Sequence, residues 1–223
     1  MKNLFTFIFT VTTALSAAAQ STGDWNPAIY QVGKMYPGYI INMEGDTVKG
    51  FLKAGSRCSI NGIGNSNQNT AEFFINETDK KPAAKYKPTD IKGYKIADKV
   101  YESIAYSGGL FKKPNFNLVV IDGEIRVYEW YATVEGYSTL NMQSGETWQK
   151  FDERRFDSKS VMAKKNVEPA ELSMVGLQFV KKMPAFIEDH KELVSKVTNK
   201  EKGYSFLQIW AVIDEYNAWA RTK

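Results

Sequence analysis

Cysteine and histidine are nearly missing from this sequence: 223 residues contain one of each, Cys58 and His190. A lone cysteine cannot form a disulfide within the chain, so stability must come from packing. One thiol and one imidazole cannot assemble a common zinc set. A Cys–His nucleophile pair would have to join a Gly/Ser/Asn-rich stretch to a distant helical segment. The fingerprints of other chemistries are also absent. There is no Gly-x-Ser-x-Gly elbow, no P-loop and no dinucleotide motif, and Gly62-Ile63-Gly64 alone is too little for a phosphate loop. The acidic groups Glu44-Gly45-Asp46, Asp152-Glu153 with Asp157, and Glu188-Asp189 do not match a calcium-binding EF-hand. No cofactor or metal is expected.

Net charge is small too, with 29 basic residues against 25 acidic ones. The net charge is +4, and the basic pairs Lys80-Lys81, Lys112-Lys113, Arg154-Arg155, Lys164-Lys165 and Lys181-Lys182 are dispersed. Nucleic-acid binders concentrate basic charge on one face, so nucleic acid is not an expected partner. Beyond the first twenty residues no apolar run approaches the ~20 residues of a transmembrane helix, so none is expected in the mature chain.

The first twenty residues do show a pattern. Lys2 precedes an apolar run from Leu4 to Ala14, and Ala17-Ala18-Ala19 supplies small residues where a signal peptidase reads. A signal peptide over 1–19 is expected, with cleavage before Gln20. Residues 20–37, with Trp25, Pro27 and Pro37, read as an extended arm.

From residue 38 the apolar period is two. Tyr39–Met43 and Val48–Leu52 flank Glu44-Gly45-Asp46-Thr47, a hairpin in which Gly45 can supply positive φ. Residues 54–70 form a long Gly/Ser/Asn-rich connection. Ala71–Asn76 is a short strand, and Ile91–Ile96 and Val100–Ile104 flank a turn at Ala97-Asp98-Lys99. Asp122-Gly123 between two β-prone runs predicts a type I′ hairpin, with both residues at positive φ. A further hairpin is expected at Tyr137–Met142 and Thr147–Phe151.

From about Ala170 the period becomes helical. Leu172, Val175, Phe179 and Met183 share one face, and Pro184 should end or kink that helix. Asp189 with Glu192, and Ser205 with Gln208, have the spacing of capping boxes. The last helix carries Phe206, Ile209, Trp210, Ile213, Tyr216 and Ala220 on one stripe, predicted to be core. The fold class is therefore α+β: a curved or barrel-like, mostly antiparallel sheet of about eight to ten strands over 38–156, then a helical region over 157–223 packed on it.

The ending Ala19-Gln20, the hairpin Gly38-Tyr39-Ile40-Ile41 … Gly45-Asp46-Thr47-Val48-Lys49-Gly50-Phe51, the segment Lys87-Pro88-Thr89-Asp90-Ile91-Lys92-Gly93-Tyr94 and the closing Tyr216-Asn217 together resemble a family of uncharacterised exported proteins common in Bacteroidetes. The resemblance implies a cell-envelope or secreted location and brings no catalytic residues.

The residues themselves favour non-enzymatic binding of an envelope protein or glycan. Aromatics cluster in the β region, and Tyr128, Trp130, Tyr131 and Trp148 are the candidate ligand-binding residues, able to stack on a glycan or hold a lipid. Packing of aromatics in a sheet core explains the same cluster. The alternatives are a glycan or peptidoglycan hydrolase working through two carboxylates, or a carrier with an apolar cavity. Glu129, between Tyr128 and Trp130, is the acid that stands out. It is expected to face solvent or to pair with a basic residue across the strand.

Overall fold

The computed structural model describes residues 31–57, 66–108, 113–133, 144–145 and 156–223. The expected signal peptide, most of the arm, Cys58, Trp148 and the two strands of the 137–151 hairpin lie outside the described residues.

Among the described residues ten strands form one sheet: β1 Met35–Ile41, β2 Thr47–Lys53, β3 Ala71–Phe74, β4 Ala84–Tyr86, β5 Gly93–Ile96, β6 Lys99–Ile104, β7 Asn115–Ile121, β8 Arg126–Thr133, β9 Phe156–Lys164 and β10 Val167–Glu171. The order is β10-β9-β8-β7-β6-β5-β1-β2-β3-β4, and every pairing is antiparallel. Two meanders thus meet where β1 pairs with β5. The strands run to Glu171, so the boundary expected at 156/157 falls too early. Asp157, Lys159 and Lys164-Lys165-Asn166 dilute the apolar signal there, yet β9 pairs with β8 over its whole length, from Arg126↔Ala163 to Thr133↔Phe156.

The sheet is open and curled. Gln68, three residues before β3, exchanges two hydrogen bonds with the backbone of Tyr131 on β8: Tyr131 N–H donates to Oε1 at 2.6 Å, and Nε2 donates to the Tyr131 carbonyl at 2.9 Å. Five strands separate β3 from β8 in the sheet order. A flat sheet would hold those strands about 29 Å apart, beyond the ~10 Å that three residues span. Curling brings Leu52, Phe73, Tyr94, Tyr101, Phe116, Leu118 and Tyr131 into one buried cluster. The two edges are guarded: β4 has three residues between Pro82 and Pro88, and β10 contains Pro169.

Turn chemistry departs from expectation in two places. In the β1–β2 turn Gly45 has φ 104°, as predicted, but the organiser is Asn42, whose Oδ1 accepts from Gly45 N–H (2.8 Å) and Asp46 N–H (2.7 Å). The β7–β8 connection is not a type I′ turn. Four residues separate the strands, and neither Asp122 nor Gly123 has positive φ. Gly123 is needed for another reason: a Cβ there would lie 2.4 Å from Asn217 Nδ2.

The helices are α1 Leu172–Leu177, α2 Phe179–Ile187, α3 Lys191–Thr198 and α4 Ile209–Ala220, with a 3₁₀ turn, Phe206–Gln208, leading into α4. The break between α1 and α2 falls at Gln178, at φ −131°, and Pro184 sits inside α2. The N-cap of α3 is His190, whose Nδ1 accepts from Leu193 N–H, because Asp189 is engaged elsewhere. Ser205 and Gln208 bond each other through their side chains and not the helix backbone. Helical residues Val175, Met183, Leu193, Val197, Val212, Ile213 and Tyr216 pack on Ile125, Val127 and Met162 of the sheet. Phe206 and Trp210 depart from the expected core stripe and stay substantially exposed. Within the described residues no helix is long and apolar enough to cross a membrane.

Candidate functional site

Strand alternation sorts the candidate residues. Arg126, Tyr128 and Trp130 point to one face of β8, and Val127, Glu129 and Tyr131 to the other. Tyr131 is therefore separated from Tyr128 and Trp130. It is 2% exposed, lies in the sheet core, and donates its hydroxyl to Glu129 Oε2 at 2.7 Å. Glu129 is half-buried, and its neighbours across the strands are Leu118 and Ser160, so the expected basic partner is replaced by a phenol. Trp148 lies outside the described residues.

The opposite face of β8 carries a cleft of about 690 Å³. Its floor is Tyr128 with Glu102 of β6 and Arg126. One wall comes from Ile41, Met43, Pro88 and Lys92, and the other from Lys164, Lys165, Val167 and Pro169. The floor sits on a small apolar layer of Val119, Tyr128 and Val161. Sequence reasoning placed Tyr128 here through its aromatic neighbours. It missed Glu102, Arg126 and Lys92, which only the lateral strand order brings together.

The polar floor is tightly wired. Tyr128 Oη donates to Glu102 Oε2 at 2.6 Å, and Arg126 Nη1 donates to the same oxygen at 2.9 Å. Arg126 Nε donates to Asp122 Oδ1 at 3.1 Å. Burial, reinforced by the Glu102 carboxylate, holds the Tyr128 phenol well above its ordinary value, so it stays protonated and donates. Burial works against the Arg126 charge, but Glu102, Tyr128 and Asp122 outweigh it and raise its pKa. Tyr128 is a floor residue, 2% exposed, and offers no open stacking face.

Trp130 is half-buried further along the same face and is not part of the cleft lining. It meets Tyr106 edge-on at 5.8 Å, and Lys159 Nζ lies 5.9 Å from its ring centre. Tyr106 donates to Glu171, which Lys159 also approaches at 3.1 Å. Burial, then Glu171, pushes the Tyr106 phenol up. Burial opposes the Glu171 charge, but Tyr106, Lys159 and Ser173 outweigh it and lower that pKa. These contacts fasten β9 and β10 to the 104–108 segment, a structural task.

Among the described residues no cluster of three or more His, Cys, Asp or Glu is placed to hold a metal ion. No family model matches the chain, and neither a curated protein nor a solved structure matches it. Function is therefore argued from this geometry and chemistry.

Proposed function

We propose that the chain is an exported cell-envelope protein that binds a ligand or partner in the cleft over Tyr128 without chemically altering it. The signal-like first nineteen residues and the family resemblance support export. The observation that carries the binding reading is the 690 Å³ cleft whose polar floor is already satisfied internally. Such a floor is rigid, and it offers shape and charge rather than a reactive group.

A hydrolase would need two carboxylates serving one substrate. Glu102 and Glu124 both line the cleft. Glu102, however, is already engaged within the protein, accepting hydrogen bonds on one oxygen from both Tyr128 and Arg126.

The test is photo-crosslinking in intact cells from a probe amino acid at Ala105, an exposed residue of the cleft lining. A discrete adduct is expected, and it should be lost when Ile104→Trp narrows the cleft in the same chain. An adduct that persists unchanged in the narrowed variant would overturn the cleft as the binding site. Sequencing the mature N-terminus tests export, and a retained Met1 would refute it.

A further inference from the structure

The charges on the cleft are unequally answered by the protein. Among the described residues four cationic side chains line it: Lys92, Arg126, Lys164 and Lys165. Lys164 is met by Asp189 at 2.8 Å, on the helix side. Arg126 is met by Glu102 and Asp122. Lys92 and Lys165 have no acidic partner among the described residues, and both are exposed. Of the two lining carboxylates, Glu102 is taken by Arg126 and Tyr128, which leaves Glu124 alone. Two free ammoniums thus face one free carboxylate.

Most of the remaining lining is apolar, with Ser103 the exception. Ile41 and Met43 stand beside Lys92, and Val167 and Pro169 stand beside Lys165, with Ile104 and the Tyr128 ring between. Met43 is 53% exposed although it is large and apolar. Lys92 itself is not loosely placed. Its N–H donates to the Ile41 carbonyl at 2.9 Å, its carbonyl accepts from Ser103 N–H at 2.8 Å, and its Nζ reaches over the β1–β2 turn at Gly45. An exposed ammonium beside an apolar wall offers two kinds of contact, and a carboxylate or phosphate head with a hydrocarbon body satisfies both at once.

We propose that the cleft takes an amphiphilic anion: a carboxylate or phosphate carried on an apolar chain. The proposal rests on the binding reading of this cleft and adds the chemical class of its ligand. Lys92 and Lys165 supply the charge recognition, one from each wall. Arg126, neutralised by Glu102 and Asp122, stiffens the floor and leaves the charge recognition to the two lysines.

The test is calorimetric titration of the full chain with octanoate, octyl phosphate, octanol and inorganic phosphate. Binding of octanoate or octyl phosphate is expected, and the tighter of the two names the head group. The double variant Lys92→Gln/Lys165→Gln should weaken that binding by about three- to tenfold, the range for two solvent-accessible ion pairs. Both lysines are exposed and unpaired, so the variant should fold, and an unchanged circular dichroism melt checks this. Octanol should bind more weakly and be indifferent to the double variant. Octanol binding as tightly as octanoate, or a double variant with unaltered affinity, overturns the anion assignment. Inorganic phosphate binding as tightly as octyl phosphate overturns the apolar part. A failure of these arms beside a cleft-dependent crosslink at Ala105 removes the ligand class and keeps the binding reading. Loss of cleft dependence in the crosslink removes the binding reading itself.

Discussion

Two cores share one face of β8, and they are built differently. Toward the end of the strand, Tyr131 enters a sheet core rich in aromatics, where Tyr94 stacks on Tyr101 at 4.9 Å and meets Phe116 edge-on at 5.0 Å. Toward its start, Val127 and Ile125 enter a helix core of mostly aliphatic side chains and Met162, Met183 and Phe186. Each core is fastened by a buried amide side chain that acts as a short extra strand, one on β8 and one on the residue just before it. Gln68 takes both backbone groups of Tyr131, and Asn217 takes both of Ile125, with Ile125 N–H donating at 2.8 Å and its carbonyl accepting at 2.9 Å. The sheet curls around its own core, while the helix core is closed by a separate layer. The difference teaches that β8 is the common wall on which the stability of both halves depends.

The strongest way to break this comparison is to open a cavity in one core and watch the other. Phe116→Ala in the sheet core and Phe186→Ala in the helix core should each cost about 3–5 kcal/mol. Because β8 serves both, each variant should still unfold in one urea transition, with far-UV and near-UV signals coincident. A Phe186→Ala protein that loses its helical signal well before its tyrosine signal would show that the helix layer is an independent unit.

The amide clamps give the next largest effect. Gln68→Leu and Asn217→Leu each leave a buried backbone N–H and carbonyl unpaired, at about 2–4 kcal/mol for the pair. Hydrogen exchange should locate the damage. The Tyr131 amide should quicken in the first variant and the Ile125 amide in the second, each without the other. Equal acceleration at both ends in either variant would mean that the clamps act only through global stability.

Much of this architecture was legible in the sequence, and the parts that were not share a cause. The period-two runs marked β1, β2 and β5 to β8, and the 3.6-residue period marked the helices, because both signals are local. The insertion of β1 beside β5, the meeting of Gln68 with β8 and the Asn217 clamp are non-local, and no spacing announces them. Asp122-Gly123 was read as turn chemistry, although its glycine makes room for Asn217. At the site, Tyr131 was grouped with Tyr128 and Trp130 for its ring and not its parity. Glu102 had no sequence signal beyond its place in a strand. Its role comes from lying two strands away from β8 in the sheet.

A smaller effect tests the seam between sheet and helices at acid pH. Lys164 at the end of β9 pairs with Asp189 at the α2–α3 turn, and Tyr216 of α4 donates to both Asp189 oxygens at 2.8 and 2.9 Å. Burial opposes the Asp189 charge, but Lys164 and Tyr216 outweigh it, so its folded pKa lies below the ordinary carboxyl value. Its stabilising contribution is therefore full above about pH 4, the unfolded value, and is lost as pH falls through the lower folded pKa. Asp189→Asn should reduce the acid dependence of urea stability in that window by under about 1 kcal/mol, as the carboxylate is half exposed. An unchanged pH profile would remove this link from the account of the seam.

The smallest expected change concerns exposed apolar side chains, which the sheet carries at Met43, Val48 and Ile75 and the helix layer carries in larger number. The helix layer leaves Met174, Leu177, Phe206, Leu207 and Trp210 exposed, with Leu177 at 80% and Leu207 at 84%. Phe206 ties them together, since its ring lies against Gly176 of α1 and 6.5 Å from Phe179 of α2. Side chains this exposed contribute almost no burial to the folded state, so Leu177→Ser and Leu207→Ser should move stability by less than about 0.5 kcal/mol. Binding of a hydrophobic dye to the native protein should fall in the double variant, because the removed surface is apolar. A loss of several degrees in melting temperature would instead mean that these leucines are covered in solution. Light scattering against protein concentration would then decide whether a second copy of the chain does the covering: a melting temperature that rises with concentration in the parent protein, and not in the variant, would make the helix layer as completely buried as the sheet core.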